Sequence, residues 1–333
     1  MRRIALVSVA VLLGATACGS ATTLRSAVPL RDVLVYARPD ALTYAAYNKP
    51  YTIWRARVDG SHAERLAVGD FPAVSPDGRW VAFERGADVF VIPAAGGAAK
   101  RVYTLGGIGK GVRLEAAPTW APDSRHLGIR SYDGVVVVDT IRREAHRLPN
   151  DASSFAFSPD SHRIAYSIDD GDADDGLFVV PIHGGVPVRL AGKNTGNPVW
   201  GKPGIAFFRG NGLGGDIWLS DGRTHHLRQL THTGDGSLPG FFSGDGKKLL
   251  AWYPPSHNGR LWAVDLATGA ERPLTPWIDL TPHGLSGDGK TVLAVLGCDG
   301  NGAPYGSVET IPFAGGKPHI VVNGPCSASW NAG

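Results

Sequence analysis

The sequence predicts an all-β fold, a β-propeller of four-stranded blades, and three observations carry that expectation. One short pattern recurs: an apolar residue, a Ser-Pro-Asp-Gly turn, then a strand of the form aliphatic, small, aromatic. The copies are evenly spaced, about 42 residues apart between Asp77 and Asp288, which is the length of a four-stranded blade. The 45 Gly and 24 Pro are spread throughout, and no long stretch has a 3.6-residue apolar period, so long helices are not expected.

Taken in order, residues 1–17 read as a signal peptide: Arg2 and Arg3, an apolar run from Ile4 to Leu13, then small residues. Ala15-Thr16-Ala17-Cys18 resembles the lipobox of bacterial lipoproteins, which makes Cys18 the lipidated first residue of the mature chain and the membrane its partner through that lipid. Ordinary cleavage after Ala17 is the alternative, because Ala15-Thr16-Ala17 also fits an A-x-A site. Residues 18–31 are small and polar without periodicity, a flexible tether, and residues 32–333 form the propeller.

Within the propeller, complete copies of the turn and second strand are Val74-Ser75-Pro76-Asp77-Gly78 with Val81-Ala82-Phe83, and Phe157-Ser158-Pro159-Asp160-Ser161 with Ile164-Ala165-Tyr166. Degenerate copies begin at Trp120, Trp200, Phe242 and Leu285. Third strands follow, as in Val89-Phe90-Val91-Ile92 and Leu261-Trp262-Ala263-Val264, and fourth strands follow Gly-rich turns such as Gly96-Gly97 and Gly184-Gly185. Val33-Leu34-Val35-Tyr36 and Ile53-Trp54-Arg55-Ala56 read as second and third strands lacking a first. Ala328-Ser329-Trp330-Asn331 aligns with Pro118-Thr119-Trp120-Ala121, so the C-terminus supplies that missing strand and closes the ring. This makes seven blades, with six as the alternative count.

In the turn, Pro sets φ, Asp accepts from backbone N–H groups ahead of it, and Gly tolerates positive φ. The recurrent Asp is therefore structural. Val74, Trp120, Phe157, Trp200, Phe242, Leu285 and Trp330 form one column expected to pack between blades. Their predecessors, including Thr119, Val199, Phe241 and Gly284, face the other way.

The repeated turn and strand resemble the repeat of TolB-like propellers, related in turn to the propellers of prolyl oligopeptidase-type enzymes. The resemblance spans residues 32–333 and implies the fold; propellers host many activities. It implies no particular partner, because the extra N-terminal domain of TolB has no counterpart between Cys18 and the first strand. No Gly-x-Ser-x-Gly nucleophile elbow occurs.

Among candidate sites, Cys298 and Cys326 fall in loops on one face of the ring and are read as a disulfide suited to an oxidising compartment, with two free thiols as the alternative. The bridge closes a loop of about 28 residues, worth about 3 kcal/mol in the chain-entropy model. Asp170, Asp172 and Asp174 lie in an acidic loop whose hard oxygen ligands suit Ca2+, but Asp175 stands where an EF-hand needs Gly, so a solvated acidic loop is the competing reading. His225, His226 and His232 are expected at the surface, and His283 near the inner strand within reach of the channel, where one histidine is too little for a general base.

The formal charge of +3 falls to about +1 without Arg2 and Arg3, which gives no footprint for nucleic acid. Inner-strand positions read as mostly Ala, Pro, Thr, Phe and Gly, offering little acid–base chemistry. The sequence is thus read as a non-catalytic cell-envelope lipoprotein, exported and lipid-anchored, whose propeller recruits an envelope protein or polymer through loops such as 38–51, 105–116 and 208–216. The alternatives are a propeller enzyme of the lyase, lactonase or glycosidase kind, and a sensor binding a small ligand in its channel.

Overall fold

The structure, a computed structural model, describes residues 30–39, 51–105, 114, 116–131, 134–149, 152–168, 175–211, 214–222, 226–253, 260–276, 280–286, 288–296, 306–325 and 327–331. These residues form seven four-stranded antiparallel sheets and no helix.

The first strands in the chain are β1 (Val33–Arg38), β2 (Thr52–Arg57) and β3 (Glu64–Val68). Blade II is β4 (Asp70–Val74), β5 (Trp80–Arg85), β6 (Asp88–Pro93) and β7 (Lys100–Thr104). Blade III is β8 (Thr119–Trp120), β9 (His126–Ser131), β10 (Gly134–Asp139) and β11 (Glu144–Arg147). Blade IV is β12 (Ala152–Phe157), β13 (Arg163–Ile168), β14 (Gly176–Pro181) and β15 (Val188–Ala191). Blade V is β16 (Thr195–Gly201), β17 (Gly204–Asn211), β18 (Gly214–Ser220) and β19 (Leu227–Gln229). Blade VI is β20 (Leu238–Phe242), β21 (Lys248–Tyr253), β22 (Arg260–Asp265) and β23 (Glu271–Pro273). Blade VII is β24 (Leu280–Leu285), β25 (Thr291–Leu296), β26 (Ser307–Pro312) and β27 (His319–Asn323), and the last strand is β28 (Ser327–Asn331).

Blade I is composite, in the order β28-β1-β2-β3, with Trp330 opposite Leu34 and Ala328 opposite Tyr36. The C-terminal closure and the count of seven are therefore as the repeat spacing predicts. Side chains of β28 also hold the next blade. Ser329 Oγ accepts from the Val74 N–H at 3.1 Å, and Asn331 Nδ2 donates to the Pro76 carbonyl at 2.9 Å.

Each blade has two apolar faces and buries one against each neighbour. The aromatic column makes those contacts. Trp120 sits in a cluster with Ala73, Val89 and Val91 of blade II and donates its indole N–H to the Ala73 carbonyl at 3.0 Å. Phe157 packs on Val135 and Val137 of blade III, and Trp330 packs on Leu293, Val295 and Val308 of blade VII. Gly128 of β9 shows how tight the contact is. A Cβ there would lie 2.2 Å from the Phe155 ring.

The turns confirm a structural role for the recurrent aspartates. Ser75 Oγ donates to Asp77 Oδ1 at 2.6 Å, Asp77 Oδ1 accepts from the Arg79 N–H at 3.0 Å, and Trp80 N donates to Ser75 Oγ at 3.0 Å. The same serine–aspartate bond recurs at Ser158–Asp160, Ser243–Asp245 and Ser286–Asp288, and it holds the carboxyls of Asp160, Asp245 and Asp288 below their ordinary value. Gly78 needs its φ of 69° and its lack of a side chain, since a Cβ would meet the Leu30 carbonyl at 1.9 Å.

Deleting residues 327–333 removes the inner strand of blade I and bares the flanks of blades II and VII. The truncated protein is expected to lose about 3 kcal/mol or more of stability and its single cooperative transition, read by circular dichroism on heating. An unchanged midpoint would show that the ring does not depend on this strand.

Candidate functional site

The first strands of most successive blades touch one another and surround the axis, so the side chains that face the axis line a central channel. Two cavities occupy its ends. At the end formed by the Ser-Pro-Asp-Gly turns, a cavity of about 540 Å³ is walled by Trp200, Phe241, Phe242, Leu285 and Trp330, with His283 in the wall and the exposed Lys202 at its rim. At the opposite end, about 260 Å³ is bounded by Phe155, Pro198, Phe241, Trp252, Pro282 and Arg130. Val199 and Phe241 border both. Among the described residues that line these cavities there is no carboxylate, and the charged side chains are Lys202 and Arg130.

Trp200, Phe242, Leu285 and Trp330 thus serve twice. They pack between blades, as the column predicts, and their edges surface at the channel mouth. The Trp330 indole N–H is buried there and meets no acceptor.

Regular alternation does not persist along the inner strands. Pairing with the second strand shifts register between Asp70 and Ala73, Ala152 and Ser154, Gly196 and Val199, Pro239 and Phe241, and Pro282 and Gly284. These are β-bulges, which re-aim side chains. Asn197 takes a left-handed φ of 49° in its bulge, and its N–H donates to Ser154 Oγ of blade IV at 3.0 Å.

His283 is the extra residue of the β24 bulge. Burial pushes its pKa down to about 4, against the opposing effect of a hydrogen bond with the Ala328 backbone. At neutral pH it is an uncharged imidazole, and when one nitrogen donates to the backbone the other is left as an acceptor. Pro282 before it is the one sequence sign of an interrupted ladder.

Of the other residues singled out in the sequence, the described ones, Asp175, His226 and His232, do not line these cavities. Cys18, Asp170, Asp172, Asp174, Cys298 and Cys326 all lie outside the described residues, as does His225. Asp175, next to the acidic run, is buried, and its carbonyl accepts from Arg189. His226 and His232 are exposed, in keeping with a surface role. Among the described residues no helix is long and apolar enough to cross a membrane, and no group of three His, Cys, Asp or Glu side chains already stands in coordinating geometry.

Solved structures share this architecture. TolB from Acinetobacter baumannii superposes with a TM-score of 0.53 at 17% identity, covering 91% of this chain and 67% of that one. The fold is that of a TolB-like β-propeller. A puromycin-hydrolyzing peptidase from Mycobacterium tuberculosis matches this chain with a TM-score of 0.65 at 16% identity, over 90% of this chain and 52% of the other. In sequence, the chain is 27% identical over 264 residues to Tricorn protease homolog 1 of Streptomyces coelicolor, across 68% of its own length. It spans only 23% of that relative. No family model matches.

These matches overturn the expectation that the chain is not an enzyme, since they are to proteins named as a protease homolog and a peptidase. That expectation rested on inner-strand residue types that offer little acid–base chemistry and on the lack of a Gly-x-Ser-x-Gly elbow. The bulges break the alternation and place an uncharged imidazole, His283, in the channel wall.

The depressed pKa of His283 has a definite sign. An imidazole that titrates near 4 when folded and near 6.5 when unfolded adds stability that is fully present above pH 6.5 and is lost as the pH falls towards 4. Urea unfolding at pH 7 and pH 4 should show the wild type losing on the order of 2 kcal/mol more than His283→Gln. Equal losses would mean that His283 is solvated.

Proposed function

We propose that the chain is an exported, envelope-held TolB-like propeller whose turn-side channel mouth binds an extended, apolar segment of a partner polypeptide. The supporting observation is the wall of that cavity, built from Trp200, Phe241, Phe242 and Trp330 with Lys202 at the rim and no carboxylate among its described lining residues. Aromatic rings supply contact area at low entropic cost. The cationic rim favours a segment carrying acidic residues or a free carboxylate. Likeness to a protease homolog and a peptidase is in keeping with a polypeptide ligand.

Export and anchoring belong to the same reading. Residues 1–17 act as the leader, Cys18 carries the lipid, and residues 18–31 hold the propeller off the membrane. Cys298 and Cys326 form a bridge in the oxidising compartment that this implies. A second reading, proton transfer within the channel, rests on His283, which is uncharged at neutral pH in a wall that otherwise carries little acid–base chemistry.

Screening the protein against a displayed library of random peptides should enrich sequences that combine aromatic or aliphatic residues with an acidic one. Lys202→Glu, an exposed change, should weaken the selected peptides by about tenfold, and Phe241→Ala should weaken them further. A library that returns no enrichment, or peptides indifferent to both substitutions, would refute channel binding. In the native host, Cys18→Ser should move the protein from the membrane to the soluble fraction. Unchanged partition would refute the lipid anchor.

A further inference from the structure

A third cavity, of about 230 Å³, lies away from the channel between blades III and IV, and three of its lining residues are histidines. The strand registers explain how blade III supplies two of them. His126 pairs with Asp139, which pairs with Glu144, while Gly128 pairs with Val137, which pairs with His146. Cross-strand partners share a face, so these side chains all point from blade III towards blade IV. Gly128 marks the direction, since its missing side chain makes room for Phe155 and Phe157. His183 arrives from blade IV, on the turn that follows β14.

The chemistry of this cluster is incomplete. The His126 side chain is 7% exposed, and its Nδ1 lies 2.6 Å from Asp123 Oδ2. A carboxylate only accepts, so Nδ1 carries the proton and, in the neutral ring, Nε2 presents a lone pair. Nε2 is buried and has no partner. His146 Nε2 is likewise buried without a partner. Burial pulls the His146 pKa down, and the neighbouring His183 and His126 pull it the same way. The His183 ring lies 5.3 Å from that of His126, turned by 65°. Buried nitrogens without partners are costly unless something meets them.

We infer that His126, His146 and His183 form a binding site for a divalent transition metal of the zinc class, joining blade III to blade IV. Imidazole nitrogens suit such borderline ions and do not suit Ca2+ or Mg2+. The Asp123–His126 pair has the form in which a ligating histidine donates its other N–H to a carboxylate, which fixes the tautomer and raises the ligand's basicity. Asp139 is engaged by Arg125, whose Nε lies 3.0 Å from Oδ2, which leaves Glu144 or water for the fourth position. The three imidazoles do not yet stand in a coordinating array, so rotation of the side chains must bring them together. His183 is free to make that move: it is exposed and is followed by Gly184 and Gly185, both at positive φ.

The full chain, purified without a polyhistidine tag and stripped with chelator, would be titrated with Zn2+ by calorimetry and with Co2+ by visible absorption. One Zn2+ per chain and a tetrahedral Co2+ spectrum are expected. His183→Ala and Asp123→Asn should each weaken Zn2+ binding by about 10-fold or more. Saturating Zn2+ should raise the thermal midpoint of the wild type but not that of His183→Ala. Because His183 is exposed, the metal-free midpoint of that variant should match the wild type, which separates loss of a ligand from loss of the fold. His226→Ala and His232→Ala should leave binding unchanged. Failure to bind Zn2+ stoichiometrically would overturn the site, as would binding that survives both His183→Ala and His146→Ala. Binding abolished by His226→Ala or His232→Ala would also overturn it, by moving the metal to the surface.

Discussion

The rest of the structure depends on the pairing of β28 with β1. Each blade can bury its two apolar faces only against neighbours, so an open array would leave two faces and a strand edge in water. Chain ends that share one sheet remove both costs together. Trp330 fills the gap beside blade VII, while Ser329 and Asn331 reach across to blade II. Every inter-blade contact is thereby held by a ring in which no blade can leave alone.

Hydrogen bonds between turns complement the apolar seams. Where Gly78, Gly246 and Gly289 occupy the left-handed position of the turn, blades III and IV use Ser124 and Ser161 at φ of 56° and 58°. A serine is strained there, but each hydroxyl accepts from the aspartate N–H of the preceding blade, Asp77 and Asp123 respectively, at 3.0 Å. The departure from glycine is therefore an inter-blade contact. Asp123 acts twice in this scheme, since its carboxylate also orients His126 at the edge of the blade III–IV cavity.

Much of this was legible in the sequence because a propeller repeats one local solution. The Trp120 and Trp330 segments align, so the composite blade follows from matching fragments at the two ends. The period-2 alternation picks out the inter-blade column, although Trp200, Phe242, Leu285 and Trp330 of that column also reach the channel mouth. Bulges were not legible, because a register shift is a property of the pair of strands rather than of either one. His283 is legible as a residue near the inner strand within reach of the channel, but not as the extra residue of a bulge. Nor does spacing reveal His126, His146 and His183. They come from two strands of one blade and the turn of the next, and only the folded pairing brings them to a single cavity.

The turn-side channel mouth and the histidine cavity differ in a way that follows from the ring. The channel mouth gathers residues from the turns and inner strands of blades III to VII together with Trp330, so a ligand there touches many blades and favours no single seam. The histidine cavity belongs to one seam, and whatever satisfies its buried nitrogens acts on the contact between two blades alone. In a closed ring that contact cannot open without moving the others, because the sheets are close-packed on both sides. Recognition at the axis and bridging at a seam are thus separate tasks that the same closure makes mechanically continuous.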